Sequence, residues 1–202
     1  LPFFGCLHQD GSDEAQDGFF IGEQTGHARA PLDLAVEILA HVGSAQAFAR
    51  AESILQKMGK TIVHAGGAGN GQAAKICNNM ILGVSMIAVS EAFVLGEKLG
   101  LTHQALFDVA SAASGQCWAL TTNCPVPGPV PTSPANRDYQ PGFAGALMAK
   151  DLKLALNALQ STGVAARLGP LASEIYDSFA AEGGAGRDFS GIITDIRDKS
   201  DH

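Results

Sequence analysis

Gly66-Gly67-Ala68-Gly69-Asn70-Gly71-Gln72-Ala73-Ala74-Lys75-Ile76-Cys77-Asn78-Asn79 decides how this chain is read. A run of glycines stops abruptly, and a helix-forming stretch with a single lysine follows. Lys75 and Asn79 stand four residues apart, so their side chains share one helical face, one turn from each other. A lysine set among Ala, Ile, Cys and Met loses part of its ammonium's solvation, which suits it to acid/base work near neutral pH. An amide one turn away can hold a substrate oxygen beside it. The same spacing also describes a solvated surface lysine and an asparagine inside a helix. The glycines do not make a dinucleotide fingerprint: Gln72 stands where the third glycine of G-x-G-x-x-G belongs. They do not make a phosphate-binding loop of the Walker type either, since Lys75 follows no glycine and precedes no Ser or Thr. What remains is a glycine-rich entry to a helix, whose backbone N–H groups can face an anion such as a carboxylate.

Upstream of the glycines, Thr61-Ile62-Val63-His64 predicts a short strand. Before it, Ala45 to Met58 predicts a helix, with Phe48, Ala51, Ile54, Leu55 and Met58 at helical spacing, Ser44 as its cap and Gly59 as its stop. Helix, strand, glycine turn and new helix suggest the end of an α/β unit. Leu32 to Ala40 fits helix or strand, and Leu1 to Gly26 shows no sustained period. Downstream, Gln72 to Leu99 is apolar around most of its circumference, which predicts a helix buried on several sides. Gly100 closes it. Thr102 caps a second helix, with Ala105, Leu106, Val109 and Ala110 expected on its inner face. Ser114-Gly115 either breaks that helix or offers polar groups to a ligand, and Trp118 is expected to pack. Prolines crowd the stretch from Cys124 to Gly142 and rule out regular helix or central strand there, leaving a functional loop or a packing arm. Helices are expected again over Phe143 to Gln160, Leu168 to Ala181 and Phe189 to Ile196. Lys150, on the first of these, is either a solvated helix residue or a cation reaching an anionic or amide-bearing cofactor.

The 202 residues are 46% hydrophobic, enough for a sizeable core, and a net charge of -7 argues against nucleic acid as a partner. Cys6, Cys77, Cys117 and Cys124 form no C-x-x-C pair and lie at no zinc-ligand spacing to histidine, so no metal site and free thiols in a reducing compartment are expected. Met80 to Leu95 contains Ser85, Ser90 and Glu91 and falls short of a membrane-spanning run. No signal peptide is visible at the start. These readings predict a soluble cytoplasmic or mitochondrial-matrix protein with no membrane partner. The initial Leu1 suggests a fragment or processed product.

Several motifs in order carry a further reading. Gly69 through Asn79 resembles the catalytic helix of the β-hydroxyacid dehydrogenases. Ser114-Gly115-Gln116-Cys117-Trp118, Asn123-Cys124-Pro125-Val126-Pro127-Gly128, Gly142-Phe143 and Leu147-Met148-Ala149-Lys150-Asp151-Leu152 resemble the 3-hydroxyisobutyrate dehydrogenase branch in particular. The resemblance runs from about Ser44 to Ser200. It implies a mainly α chain: an all-helical substrate and dimerisation domain over residues 67–202, preceded over residues 1–66 by a remnant of an α/β nucleotide-binding domain. It further implies NAD-dependent oxidation of 3-hydroxyisobutyrate to methylmalonate semialdehyde, as in valine breakdown, by a homo-oligomer. In that picture Lys75 is the catalytic acid/base and Asn79 orients it or the substrate. Gly69 and Gly71 allow close backbone approach to the substrate, and Lys150 binds the cofactor from the helical side. The chain departs from the family by having no dinucleotide fingerprint. Ala28-Arg29-Ala30 matches a family step, but Gly22-Glu23-Gln24 replaces the Ser-Gly-Gly before it. The first 43 or so residues are therefore expected to be divergent. A reductase of another short β-hydroxy acid, such as tartronate semialdehyde, and a catalytically silent helical dimerisation module are the competing readings.

Overall fold

The structure, a computed structural model, describes residues 19–23, 36–41, 45–57 and 61–201. Three short strands, β1 (Phe19–Glu23), β2 (Val36–His41) and β3 (Thr61–His64), form one sheet in the order β1-β2-β3. β1 runs antiparallel to β2, and β2 runs parallel to β3. A parallel pair needs a crossover. Helix α1 (Ala45–Leu55) supplies it, with the Phe48 ring 4.9 Å from that of His64. Leu55 is buried, whereas Ile54, grouped with it from the sequence, points outward at 63% exposure. β1 lies within the stretch Leu1 to Gly26 that shows no sustained period, because a five-residue strand is too short to display one. The described part of the ambiguous run, Val36 to Ala40, lies in β2. Ala28-Arg29-Ala30, the Ser44 cap and the Gly59 stop lie outside the described residues.

The glycine turn then redirects the chain. Gly66 and Gly69 adopt φ of 100° and 85°, in the left-handed region that disfavours a side chain. Asn70 Nδ2 donates to the Ala65 carbonyl at 3.0 Å and closes the turn. Helix α2 (Asn70–Lys98) follows, 29 residues long. It buries Asn79, Gly83, Met86, Ile87, Ser90, Phe93 and Val94. By length and composition α2 could cross a membrane, but half of its most apolar stretch is packed inside the protein, as in the central helix of a bundle.

Around α2 stand α3 (His103–Ala112), α4 (Trp118–Thr121), α5 (Gly145–Thr162), α6 (Leu168–Ala181) and α7 (Ile192–Ser200). One core cluster joins Met86 and Ile87 to Met148, Leu152, Tyr176, Phe179, Phe189 and Ile192, with Trp118 packed against it. A second joins Phe93 and Val94 to Leu120, Cys124, Val126, Tyr139 and Ile193. Each large apolar side chain removed from water in this way contributes about 1.5–3 kcal/mol. Thr102 caps α3 as expected, its Oγ1 accepting from the Ala105 N–H at 3.1 Å. The inner face of α3 differs from expectation. Leu106, Phe107 and Ala110 pack inward, while Ala105 is exposed and Val109 is 67% exposed. The cap set the start of the helix, but only the position of α2 could set its rotation.

The proline-rich stretch is a packing arm. Cys124, Val126, Val130, Ala135 and Tyr139 are buried, and Tyr139 Oη donates back to the Pro125 carbonyl at 2.9 Å. Burial pushes the Cys124 thiol up to about 11 against an opposing backbone hydrogen bond from Val126, so it stays protonated. The predicted final helix is two pieces, a 3-10 turn over Phe189–Gly191 that leads directly into α7. The chain is mostly helical with little strand, which agrees coarsely with a helical domain preceded by a remnant of an α/β unit.

Candidate active site on the seam between α2 and α5

α2 and α5 cross closely because Gly83 presents no side chain. A Cβ there would lie 3.1 Å from Leu152 and 3.2 Å from the Met148 sulfur. One turn earlier on the same face is Asn79, and one turn earlier again is Lys75. Asn79 is 8% exposed, and its Nδ2 donates to Asp151 Oδ2 at 2.7 Å. Its Oδ1 accepts from Asn78 Nδ2 at 3.1 Å. Lys75 is half-buried. Lys150 directly precedes Asp151 on α5 but is exposed, because consecutive helical residues point about 100° apart. Gly69 is exposed at the N-cap of α2, and Gly71 is buried in its first turn. The structure thus puts Lys75 and Asn79 on one face, and seats Asn79 against the residue beside Lys150.

Asp151 carries no role in the motif reading. The signal was available: Met148, Leu152 and Ala155 form the apolar stripe of α5, and Asp151 interrupts that stripe. An aspartate on a buried helical stripe needs a polar partner, and its partner lies 72 residues away. Only one Asp151 oxygen is satisfied. Among the described residues, Asp151 Oδ1 and Ser90 Oγ are the buried side-chain polar atoms without a hydrogen-bond partner. No group of three or more His, Cys, Asp or Glu placed to hold a metal occurs among the described residues. A shallow surface groove lies elsewhere, between α2, α6 and α7, where Ile87, Leu171, Ile175 and Ile196 meet Glu91 and Lys199. None of the candidate residues lines it. Its openness and apolar floor suit packing better than chemistry.

A long central helix that begins on a glycine turn, carries Lys75 and Asn79 inward and is sheathed by α5 to α7 has the character of a β-hydroxyacid dehydrogenase's helical body. The chain belongs to the family described as NAD-binding of NADP-dependent 3-hydroxyisobutyrate dehydrogenase, whose model matches residues 69–196. It is 56% identical over 159 residues to a probable 3-hydroxyisobutyrate dehydrogenase of Mycobacterium tuberculosis, covering 79% of this chain and 54% of that protein. It is 44% identical over 152 residues to the human mitochondrial 3-hydroxyisobutyrate dehydrogenase, covering 75% of this chain and 45% of that one. Among solved structures it resembles the Mycobacterium tuberculosis 3-hydroxyisobutyrate dehydrogenase with L-serine. The TM-score is 0.75 at 56% identity, over 79% of this chain and 55% of that one. The chain spans about half the length of the curated relatives it matches.

Proposed function

We propose that the chain is the substrate-holding, helical part of an NAD-dependent dehydrogenase that oxidises 3-hydroxyisobutyrate to methylmalonate semialdehyde. A role in valine catabolism follows from that substrate. The supporting observation is the seam between α2 and α5: a half-buried Lys75, a buried and oriented Asn79 one turn on, and Lys150 on the facing helix. Such a reaction must manage charge on the substrate oxygen while hydride leaves the neighbouring carbon. Lys75 takes the hydroxyl proton. Asn79 holds the same oxygen or the lysine. The backbone at Gly69 and Gly71, at the positive end of α2, faces the substrate carboxylate.

NAD, when bound, supplies the hydride acceptor. The residues present fit its helical side: an exposed lysine at 150 can reach an anionic or amide group, and a buried acceptor at Asp151 lacks a donor. Residues 67–202 form the substrate and dimerisation domain, and residues 1–66 the end of the nucleotide-binding one. The substrate partner is a small 3-hydroxy acid.

Two measurements test this reading. Titrated with NADH and NADPH by fluorescence, the 202-residue chain is expected to bind weakly, and micromolar affinity would contradict that. Fused to the part of the Mycobacterium tuberculosis relative that it does not cover, it is expected to oxidise 3-hydroxyisobutyrate. In that fusion Lys75→Ala lowers kcat by about 10³-fold with little change in cofactor affinity. A folded but inactive fusion sinks the enzymatic reading. It would favour a helical self-association module, for which exposed Leu95, Leu99 and Val109 at one end of the bundle supply an apolar surface.

A further inference from the structure

Asn79 cannot be turned over in its site. An ionised carboxylate only accepts hydrogen bonds, and the carboxamide oxygen only accepts. Rotating the amide would set its oxygen 2.7 Å from Asp151 Oδ2, two acceptors with no proton between them. The Asp151 carboxylate therefore fixes which end of Asn79 faces α5 and which faces along α2. Asn78 reinforces the choice by donating to Asn79 Oδ1 at 3.1 Å. The carboxamide is left with one further N–H, and its direction is set by Asp151.

The second Asp151 oxygen makes a separate point. Oδ1 is buried and accepts no hydrogen bond from any described residue. A buried carboxylate oxygen without a donor is destabilising, and proteins keep few such atoms. Asp151 itself is 5% exposed, so water does not freely cover the deficit. Asp188, the other buried carboxylate of the helical body, shows that this fold can satisfy both oxygens of an aspartate.

We infer that Asp151 is the positioning residue of the site: it orients the Asn79 carboxamide, and it reserves Oδ1 for a hydroxyl or N–H donor that arrives with the bound ligand. The second half of this rests on the dehydrogenase reading above, whereas the first does not. Through Oδ2 Asp151 acts on Asn79, through Oδ1 it meets the ligand only as a hydrogen-bond acceptor, and it takes no proton from the substrate.

The test uses the full 202-residue chain. Side-chain amide exchange is read by NMR for Asn79, with exposed Asn157 on α5 as the internal reference. In the wild type the Asn79 amide is expected to exchange at least tenfold more slowly than that of Asn157. Asp151→Ala brings the two rates together while the remaining spectrum stays dispersed. Asp151→Asn keeps an acceptor oxygen for Asn79, and so keeps the protection. It also turns the reserved acceptor into a donor, so in the fusion with the part of the Mycobacterium tuberculosis relative that the chain does not cover, binding of 3-hydroxyisobutyrate in the presence of NAD weakens tenfold or more. Unchanged Asn79 protection in a folded Asp151→Ala variant overturns the positioning role. Unchanged 3-hydroxyisobutyrate affinity in Asp151→Asn overturns the reserved acceptor. Should Asp151→Ala unfold, Asp151→Asn decides: retained protection with weakened binding supports the assignment, and lost protection or unchanged binding overturns it. A folded wild-type fusion that binds neither NAD nor hydroxy acid sinks the dehydrogenase reading and the reserved acceptor together. The orientation of Asn79 then still stands or falls on the exchange rates.

Discussion

Asp151 and Asp188 are both buried carboxylates in the same helical body, and they are treated in opposite ways. Asp188 accepts from the backbone N–H groups of Gly142 and Phe143 through Oδ2, each at 3.0 Å. Through Oδ1 it accepts from Asn123, from the Ser190 N–H and from the Ser190 hydroxyl, at 3.3, 3.0 and 2.6 Å. It thereby ties the end of the proline-rich arm, the approach to α5 and the turn before α7 to one point. Asp151 accepts one hydrogen bond and keeps a bare oxygen. A carboxylate whose every lone pair is used holds a fold together. A carboxylate left incomplete next to a lysine-bearing seam costs stability, and that pattern is expected where binding or chemistry is carried. The sequence shows two aspartates and cannot rank them. Their hydrogen-bond partners do.

Substitution sharpens that contrast. Asp188→Ala strands several buried donors at once and is expected to cost about 4 kcal/mol, read as a large drop in Tm and in the urea midpoint. Asp151→Asn keeps the one hydrogen bond and relieves the burial of a charge, so its cost is expected to stay within about 1 kcal/mol. Equal losses at the two positions would break the distinction drawn between them. Near Asp188 the packing is as tight as the hydrogen bonding. A Cβ on Gly145 would sit 2.6 Å from the Gly184 carbonyl and 2.8 Å from the Phe179 ring. Gly145→Ala must move backbone, and about 2 kcal/mol is expected. At Gly83, on the seam, the nearest atoms are the flexible ends of Leu152 and Met148. The same change there is expected to cost less in the same denaturation assay.

Much of the helical body is legible in the sequence. The glycine turn, the long apolar helix, the Thr102 cap and the helix over Leu168–Ala181 are local signals, written within a few residues of where they act. The strand Phe19–Glu23 was missed because five residues carry too little pattern. The rotation of α3 was missed because Val109 and Leu106 are equally apolar, and only the neighbouring helix chooses between them. Lys75, Asn79 and Lys150 stood out through ordered motifs. Asp151 and Asp188 did not, because their partners lie 72 and up to 65 residues away in the chain. The proline-rich arm showed the same division. Its composition excluded helix, but nothing local announced that Tyr139 and Asp188 would pin it down.

A small effect is also expected far from the seam, where α2, α3 and α7 meet. Arg197 grips Glu97 with two hydrogen bonds, Nε at 2.9 Å and Nη2 at 2.6 Å, and His103 Nε2 lies 2.7 Å from the same carboxylate. The Arg197 hydrogen bond holds the Glu97 carboxyl below its ordinary value of 4.5. Burial opposes that shift, and His103 adds to it. A carboxyl depressed in the folded state stabilises the fold fully above its unfolded value, and that contribution is lost as pH falls through the folded one. Glu97→Gln is therefore expected to cost about 1 kcal/mol at pH 7, the upper range for a partly exposed bidentate pair. The difference from wild type should shrink as urea unfolding is repeated below pH 4.5. A constant difference from pH 7 to pH 3 would mean that Glu97 acts through packing alone. The far end of the bundle would then differ from the Asp188 anchor in kind as well as in degree.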